Sequence, residues 1–253
     1  MKVESIVPQF ELEQLAPAGR IGVIALATDF NIESDLRQLY PSDVQAFTSR
    51  VRNVNPLTIE NLRSMAPGIS VAADTILPGT DLDVIIYGCT SGTVAIGSDR
   101  ITTLIHQTRP NVAVTNPITA ALAAFERLNA KRLSILTPYT ETVNQEMAMF
   151  FIEQGYDVLN IAGFAFEDDT AMTYISPQDI QQAAINVCSP DADLLFISCT
   201  ALRSASVIEA LEATLNKPVV SSNQALAWHS LRLVDYPRPV NGFGVLMAQY
   251  LAL

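Results

Sequence analysis

Two cysteines stand at corresponding points of the chain, each directly after an apolar run and directly before a threonine. They occur in Gly88-Cys89-Thr90 and Ser198-Cys199-Thr200, and a helical pattern follows each of them after a few small residues. This spacing predicts that each sulfur lies near a helix N-terminus. The free N–H groups and the dipole of a helix stabilise a thiolate there, and they stabilise a bound carboxylate in the same way. The pattern therefore indicates thiol chemistry on a molecule that carries a carboxylate.

A pair of thiols can perform two kinds of isomerisation on such a molecule. One thiolate can remove a proton from the carbon beside the carboxylate while a thiol delivers a proton to the other face, which is racemisation. Alternatively, a thiolate adds to a double bond, the new single bond rotates and the thiolate leaves, which is cis–trans isomerisation. Proton removal builds charge on the carboxylate oxygens, so it needs oriented donors. The hydroxyls of Thr90, Ser91 and Thr200 are candidates for that role.

The elements that position the cysteines recur along the chain. Residues 20–24 match 132–136, residues 82–90 match 192–200, and residues 111–116 match 218–223, in the same order and at nearly constant spacing. Any α/β protein offers similar strands, but the shared Cys-Thr pairs favour a duplication. Two such halves related by a pseudo-twofold axis would place Cys89 and Cys199 on opposite sides of one cleft, and the active site is expected there.

Short apolar runs alternate with helical patterns throughout. Buried strands are predicted at residues 21–26, 84–87, 112–114, 133–136, 194–197 and 219–220, and helices at 59–65, 119–128, 143–154, 177–187 and 205–215. Buried strands joined by helices form parallel sheets with right-handed crossovers. The predicted fold is α/β, with a first domain of residues 1–117 plus 226–253 and a second of residues 118–225. The last helical pattern, residues 245–253, could return to pack on the first half.

Composition narrows the classes of function. The formal net charge of −11 argues against nucleic acid and against anionic membrane surfaces as partners. The N-terminus shows no basic segment followed by an apolar run, so we expect a cytoplasmic location rather than export. Three cysteines cannot all pair, so free thiols are predicted. The third of them, Cys188, is interpreted as a packing residue.

Signals for a metal or a cofactor are missing from the sequence. The chain has two histidines, no Cys/His spacing suited to zinc, and no GxGxxG or Walker sequence. Lys131 and Lys217 precede apolar runs and are expected at the N-terminal ends of strands, whereas open α/β sheets carry their active sites at the other end. A lysine that binds pyridoxal phosphate is therefore not expected. The sequence predicts chemistry without a metal or a cofactor.

The segments around the cysteines resemble a known group of enzymes. Residues 87–92, 136–139, 198–203 and 218–228 are similar to the aspartate/glutamate racemase superfamily, in the branch of maleate cis–trans isomerases, arylmalonate decarboxylases and ectoine-utilisation racemase-like proteins. The resemblance implies two Rossmann-like domains, no cofactor, and a small carboxylate substrate held between the domains. It also implies a catalytic pair, Cys89 and Cys199, and the substrate-binding residues Thr90, Ser91, Tyr139 and Thr200.

At some positions this sequence differs from the enzymes of that branch, and these differences indicate which substrate the protein binds. Arylmalonate decarboxylases carry glycine at the place of Cys89, so the presence of both cysteines favours isomerase or racemase chemistry. Maleate isomerases carry a carboxylate-binding asparagine where this chain has Asp29, and the acidic residues 167–169 match the expected place of a second asparagine. A carboxylate repels a dicarboxylate and attracts an amino group, which makes Asp29 a candidate substrate-binding residue. The alternative is that Asp29 caps the following helix.

Three hypotheses of function follow from these residues. The first is a cofactor-independent isomerase, a racemase or epimerase ahead of a cis–trans isomerase, acting on a small carboxylate or an amino-acid-like substrate, with ectoine-type diamino acid catabolism as one setting. The second is an arylmalonate-type decarboxylase with Cys199 as proton donor. The third is a non-catalytic carboxylate-binding protein. Ser222 and Asn223 are expected to shape the cleft wall through bonds to the backbone, and a homodimer is the expected oligomer.

Overall fold

The computed structural model describes residues 1–7 and 11–251, in which two parallel β-sheets are flanked by helices. The first half contains strands β1 (Gly19–Leu26), β2 (Val44–Val51), β3 (Val84–Gly88) and β4 (Ala113–Thr115). Its helices are α1 (Ile32–Leu39), α2 (Ile59–Arg63), α3 (Ala66–Asp74), α4 (Thr90–Ile96) and α5 (Ser98–His106).

The second half repeats this alternation of strands and helices. Its strands are β5 (Arg132–Thr137), β6 (Asp157–Gly163), β7 (Leu194–Ile197) and β8 (Val219–Ser221). Its helices are α6 (Pro117–Arg127), α7 (Glu141–Glu153), α8 (Asp169–Thr173), α9 (Pro177–Val187) and α10 (Ile208–Leu215), the last preceded by a short 3-10 helix (Ala205–Val207). The described chain ends with α11 (Ser222–Leu233) and α12 (Gly244–Gln249).

The two sheets have the same topology. The strand orders are β2-β1-β3-β4 and β6-β5-β7-β8, and every neighbouring pair is parallel. Adding four to each strand number of the first sheet gives the second sheet, so the predicted α/β fold with two similar halves is confirmed. In each sheet the strand that leads to a cysteine, β3 or β7, lies between two neighbours and is fully buried.

Strands β2 and β6 were missing from the sequence prediction. Both are edge strands, and the residues of β2 alternate irregularly between buried and exposed positions. Such a strand lacks the continuous apolar run by which buried parallel strands are recognised. The prediction therefore located the inner strands and the edge strands β4 and β8, and it overlooked the edge strands β2 and β6, which lack a continuous buried run.

The end of β3 is shaped by a glycine. A Cβ atom on Gly88 would lie 2.5 Å from Cδ1 of Ile32 and 3.3 Å from the carbonyl oxygen of Ile24. The first contact is too close for a Cβ unless the Ile32 side chain moves. The missing side chain thus leaves room for Ile32, at the start of α1, beside the residue that precedes Cys89.

Helices α6 and α11 connect the halves. They pack against one another, and α11 contacts α1, β3 and β4 of the first half as well as β8 of the second. The main contacts of α12 are with α10, α11 and β8, which differs from the suggested return of residues 245–253 to the first half; residues 252 and 253 lie outside the described part. The proposed domain boundaries stay a prediction. Within residues 1–7 and 11–251, no helix has both the length and the apolarity to cross a bilayer.

Candidate active site

The first cysteine caps a helix. Cys89 is the residue before α4, and its Sγ accepts a hydrogen bond from the N–H of Gly92 at 3.2 Å. A Cβ on Gly92 would lie 2.8 Å from that sulfur and 2.8 Å from the hydroxyl oxygen of Tyr87. The glycine therefore allows the first turn of α4 to direct an N–H group at the sulfur, as the sequence pattern predicted.

The second cysteine lies in a different local structure. Cys199 has φ of +139°, a region that side-chain-bearing residues rarely adopt, and its Sγ accepts from the N–H of Ala201 at 3.4 Å. No α-helix begins directly after it, because the 3-10 helix starts only at Ala205 and α10 at Ile208. The expectation that both sulfurs sit at helix N-termini therefore fits Cys89 alone. Other parts of the chain hold the Cys199 turn.

Both sulfurs line one cavity between the halves. The cavity is closed tightly, since its free volume of about 10 Å³ corresponds to one water molecule. A substrate must therefore open the cleft to enter. All seven residues predicted from the sequence line this cavity, together with four others; the full set is Leu26, Thr28, Asp29, Cys89, Thr90, Ser91, Tyr139, Asp169, Cys199, Thr200 and Ala201.

Tyr139 reaches the cavity from the loop after β5. Its backbone N–H donates to Oγ1 of Thr137 at 3.0 Å, and its side chain is buried with the hydroxyl beside Cys199 and Ser91. Behind this loop, the amide of Asn144 bonds to Oγ1 of Thr137 at 2.6 Å and approaches the carbonyl of Tyr139. The ring is thereby fixed with its hydroxyl among the other donors of the cavity.

Burial controls the ionisation of both thiols. Burial raises the pKa of Cys89 well above its ordinary value, and it raises the pKa of Cys199 to about 12. The nearby carboxylate of Asp169 raises both pKa values further, and Asp29 adds to the rise at Cys199. The N–H of Gly92 lowers the pKa of Cys89, and the hydroxyl of Tyr139 and the N–H of Ala201 lower that of Cys199, but these effects offset the rise only in part. These shifts favour the protonated thiol at both cysteines.

Asp29 combines two roles that the sequence had left as alternatives. Its Oδ1 accepts from the backbone N–H groups of Asn31 and Ile32 at 2.7 and 2.9 Å, which fixes the start of α1. Its Oδ2 accepts from the hydroxyl of Thr200 at 2.9 Å, across the boundary between the halves. The side chain is thus a helix-start cap that also lines the cavity. Burial raises its pKa, although these donors oppose the rise.

Asp169 is a cavity residue that the sequence did not single out. Within the acidic residues 167–169, Glu167 and Asp168 are exposed, and Asp168 caps α8. Only Asp169 turns inward, where Oδ2 accepts from Nδ2 of Asn53 at 2.7 Å. Burial raises its pKa to about 6, and the carboxylate of Asp29 contributes to the rise. The acidic run was a signal for such a residue, but the start of α8 decides which carboxylate faces the cavity.

The cavity combines thiols, hydroxyls and carboxylates. None of its lining residues is a lysine, an arginine or a histidine. Among the residues that the structure describes, no three His, Cys, Asp or Glu side chains are arranged to hold a metal ion. The arrangement can exchange protons through two thiols, donate hydrogen bonds to a carboxylate, and attract a positive charge.

Comparison with known proteins identifies a matching family and related enzymes. The family model for arylmalonate decarboxylase (Amdase) matches residues 21–247. A maleate isomerase of Nocardia farcinica is 23% identical over 91% of this chain and 96% of its own length. An arylmalonate decarboxylase of Bordetella bronchiseptica is 27% identical over 46% of this chain and 49% of its own length.

Solved structures show the same fold at low sequence identity. A maleate isomerase variant from Pseudomonas putida in complex with maleate aligns with a TM-score of 0.82 and 21% identity, over 92% of this chain and 98% of that one. A Nocardia farcinica maleate isomerase variant with a covalently bound succinylcysteine intermediate aligns with a TM-score of 0.81 and 21% identity, over 91% and 98%. These structures share the fold, and the match of the family model over residues 21–247 shows that the chain belongs to the arylmalonate decarboxylase (Amdase) family.

Proposed function

We propose that this chain is a cofactor-independent isomerase of a small molecule that carries both a carboxylate and an amino group. The observation that supports this most directly is the meeting of two buried thiols, Cys89 and Cys199, in one closed cavity. Its relatives include maleate isomerases, one of them with succinyl bound to a cysteine, which are precedents for cysteine-based isomerisation on this fold.

The two thiols suit a two-base reaction. The thiolate of one cysteine takes the proton from the α-carbon, and the electron pair of the broken C–H bond moves into the carboxylate to give a planar enediolate. The other thiol then donates its proton to the opposite face and becomes a thiolate. One proton is lost and one is gained, so charge and atoms balance and the cysteines exchange roles.

Hydroxyl groups on one side of the cavity suit the carboxylate. Thr90, Ser91 and Tyr139 can donate hydrogen bonds to its oxygens, which carry the growing negative charge during proton removal. Thr200 is already engaged, because its hydroxyl donates to Asp29. We therefore assign carboxylate binding to the first three residues and the support of Asp29 to Thr200.

The carboxylates of Asp29 and Asp169 favour a substrate with an ammonium group. Both lie in the cavity, and their charges disfavour a dicarboxylate there. An ammonium group beside them would offset the charges that raise the pKa values of the two thiols. Binding of the substrate would thus help to form the thiolate that attacks it. An amino acid, or a diamino acid of the ectoine type, fits this chemistry better than maleate.

Decarboxylation is a second candidate, favoured by the family model for arylmalonate decarboxylase. In that reaction Cys199 would protonate the planar intermediate after loss of carbon dioxide. A second thiol in the cavity, Cys89, argues against it, because the reaction needs one proton donor.

Proton NMR in deuterium oxide tests the proposal. The protein is incubated with amino acids, diamino acids, unsaturated diacids and arylmalonates, and so are Cys89→Ser, Cys199→Ser and the control Cys188→Ser. Cys188 is half-buried and does not line the cavity. We expect α-proton exchange of an amino acid, a loss of racemisation by ~10²–10⁴-fold in either cavity variant, and normal activity in the control.

The remaining outcomes separate the alternatives. In the single-cysteine variants, exchange confined to one enantiomer supports two opposed bases. If the protein isomerises a diacid and this activity depends on one cysteine alone, the mechanism is covalent addition and not racemisation. Release of carbon dioxide from an arylmalonate would indicate a decarboxylase. Binding of carboxylates without any turnover would contradict the proposal of an isomerase.

A further inference from the structure

Ser222 touches the turns of both cysteines. It is the first residue of α11, its side chain is fully buried, and its Oγ accepts the backbone N–H of Cys199 at 3.0 Å. The same oxygen lies 2.9 Å from Oγ1 of Thr90, the residue after Cys89. A single hydroxyl on the helix that connects the halves therefore joins the two halves of the site.

The bond to Cys199 secures an unfavourable backbone. At φ of +139° this residue is in a conformation that persists only where surrounding contacts impose it. Without the Ser222 oxygen, the buried N–H of Cys199 would have no acceptor, and a more relaxed turn would move the sulfur. Ser222 is thus one of the contacts that hold the sulfur in the cavity.

Either hydroxyl can donate in the bond between Ser222 and Thr90, and the surroundings of Ser222 favour Ser222 as the donor. Ser222 Oγ already accepts from Cys199, and a buried hydroxyl also donates its own proton where an acceptor is present. Within the described part of the chain, Oγ1 of Thr90 is the acceptor at hydrogen-bond distance. With Ser222 as donor, the proton of Thr90 is free to turn towards the cavity, which Thr90 lines.

We propose that Ser222 is a positioning residue of the reaction, which holds the Cys199 turn and directs the Thr90 proton towards the carboxylate of the substrate. This inference rests on the proposed isomerase function only for its effect on turnover. The effect of Ser222 on carboxylate binding in the cavity does not depend on that function, and it applies to any molecule with a carboxylate beside a reactive carbon.

Alkylation of the two cysteines tests the inference without a known substrate. Iodoacetate carries a carboxylate beside its reactive carbon, and iodoacetamide is its neutral counterpart. The rate constants of both reagents at Cys89 and Cys199 are measured by mass spectrometry in the wild type, Ser222→Ala and the matched control Ser221→Ala. Ser221 is equally buried and caps the same helix through the N–H of Gln224, but its side chain forms no hydrogen bond to either cysteine turn in the described part of the chain.

We expect the ratio of iodoacetate to iodoacetamide rates at Cys89 to fall about tenfold in Ser222→Ala, as the loss of one hydrogen bond to a charged group predicts. Ser221→Ala should lower the melting temperature and keep the ratio. Ser222→Thr, which retains a hydroxyl, should restore the ratio. In a Thr90→Val background, Ser222→Ala should change the ratio no further, because its effect passes through Thr90.

An unchanged ratio in Ser222→Ala, or the same fall in Ser221→Ala, would overturn the inference. If Ser222→Ala does not fold, the ratio in Ser222→Thr decides, since a fall there despite the retained hydroxyl would also overturn it. A changed ratio in a protein that turns over no carboxylate would leave the positioning role intact and contradict the isomerase proposal. Normal turnover in Ser222→Ala would contradict the positioning role and leave the isomerase proposal intact.

Discussion

The two cysteine turns begin alike and are held in different ways. Both follow an inner strand and precede a threonine, yet Cys89 is positioned by its own helix, through the N–H of Gly92. The Cys199 turn relies on distant side chains: Nδ2 of Asn31 and Nδ2 of Asn223 donate to the carbonyl of Thr200 at 3.0 and 2.8 Å. The repeated strand order therefore accounts for the place of each sulfur at a strand end, and long-range polar contacts account for the orientation of the second.

The largest expected effect comes from breaking the locally built turn. In Gly92→Ala, the new Cβ would crowd the Cys89 sulfur at 2.8 Å and push it from its position. We expect turnover to fall about 100-fold, as for a reacting group misplaced by about 1 Å, and the free energy of unfolding to fall by about 1–3 kcal/mol. Kinetics and thermal unfolding measure both.

The control for this variant is Gly68→Ala in α3. Its Cβ would approach Cγ2 of Val51 equally closely, at 2.8 Å, but neither residue lines the cavity. Similar destabilisation with normal turnover is expected. If both variants lost turnover to the same extent, the special role of Gly92 at the sulfur would be refuted.

The turn that depends on remote contacts is tested by Asn223→Ala. The substitution removes a donor from the carbonyl of Thr200 and from the buried carboxylate of Asp35, whose pKa burial already raises to about 6. We expect a loss of about 2–3 kcal/mol in the free energy of unfolding and an altered alkylation rate at Cys199, with little change at Cys89. Asn160→Ala, which removes a bond to the carbonyl of Val187 in the second half, is the control. Equal changes at both cysteines would contradict the proposal that Asn223 acts through the Cys199 turn.

Asp169→Asn is expected to have a smaller effect, which is a change in the pKa of both thiols. Removing this charge should lower the pKa of both thiols, which the pH dependence of alkylation measures. The pKa of Asp169 is raised to about 6 in the folded protein, so protonation stabilises the fold at low pH and this contribution is lost as the pH rises through about 6. The stability gained by the variant over the wild type should therefore grow between about pH 4 and 6 and stay constant above that range, at no more than about 3 kcal/mol.

The control for Asp169→Asn is Asp168→Asn, which removes the charge of the adjacent residue. Asp168 is exposed and caps α8 through the N–H groups of Thr170 and Ala171, and asparagine caps helices about as well as aspartate. Its variant should leave the pH dependence unchanged. A thiol pKa that shifts at one cysteine only would show that Asp169 acts on the two turns unequally.

Features that depend on a local sequence pattern could be predicted from the sequence. The inner strands, the two cysteines and their threonines follow from apolar runs and from the repeat, and the cavity brings these residues together. The positive φ of Cys199 could not be predicted, because nothing in Ser198-Cys199-Thr200 marks a backbone that a distant hydroxyl holds. Asp169 was hidden within three consecutive acidic residues, since only the start of α8 decides which of them points inward.

The tight closure of the cavity has a consequence for inhibitors. With room for about one water molecule, the cavity must widen before it holds a tetrahedral ground-state ligand, and this widening reduces the binding free energy of such a ligand. A flat analogue of the enediolate matches the geometry at mid-reaction and requires less widening of the cavity. Such compounds should bind slowly and leave slowly, because entry and escape both wait for the two halves to part.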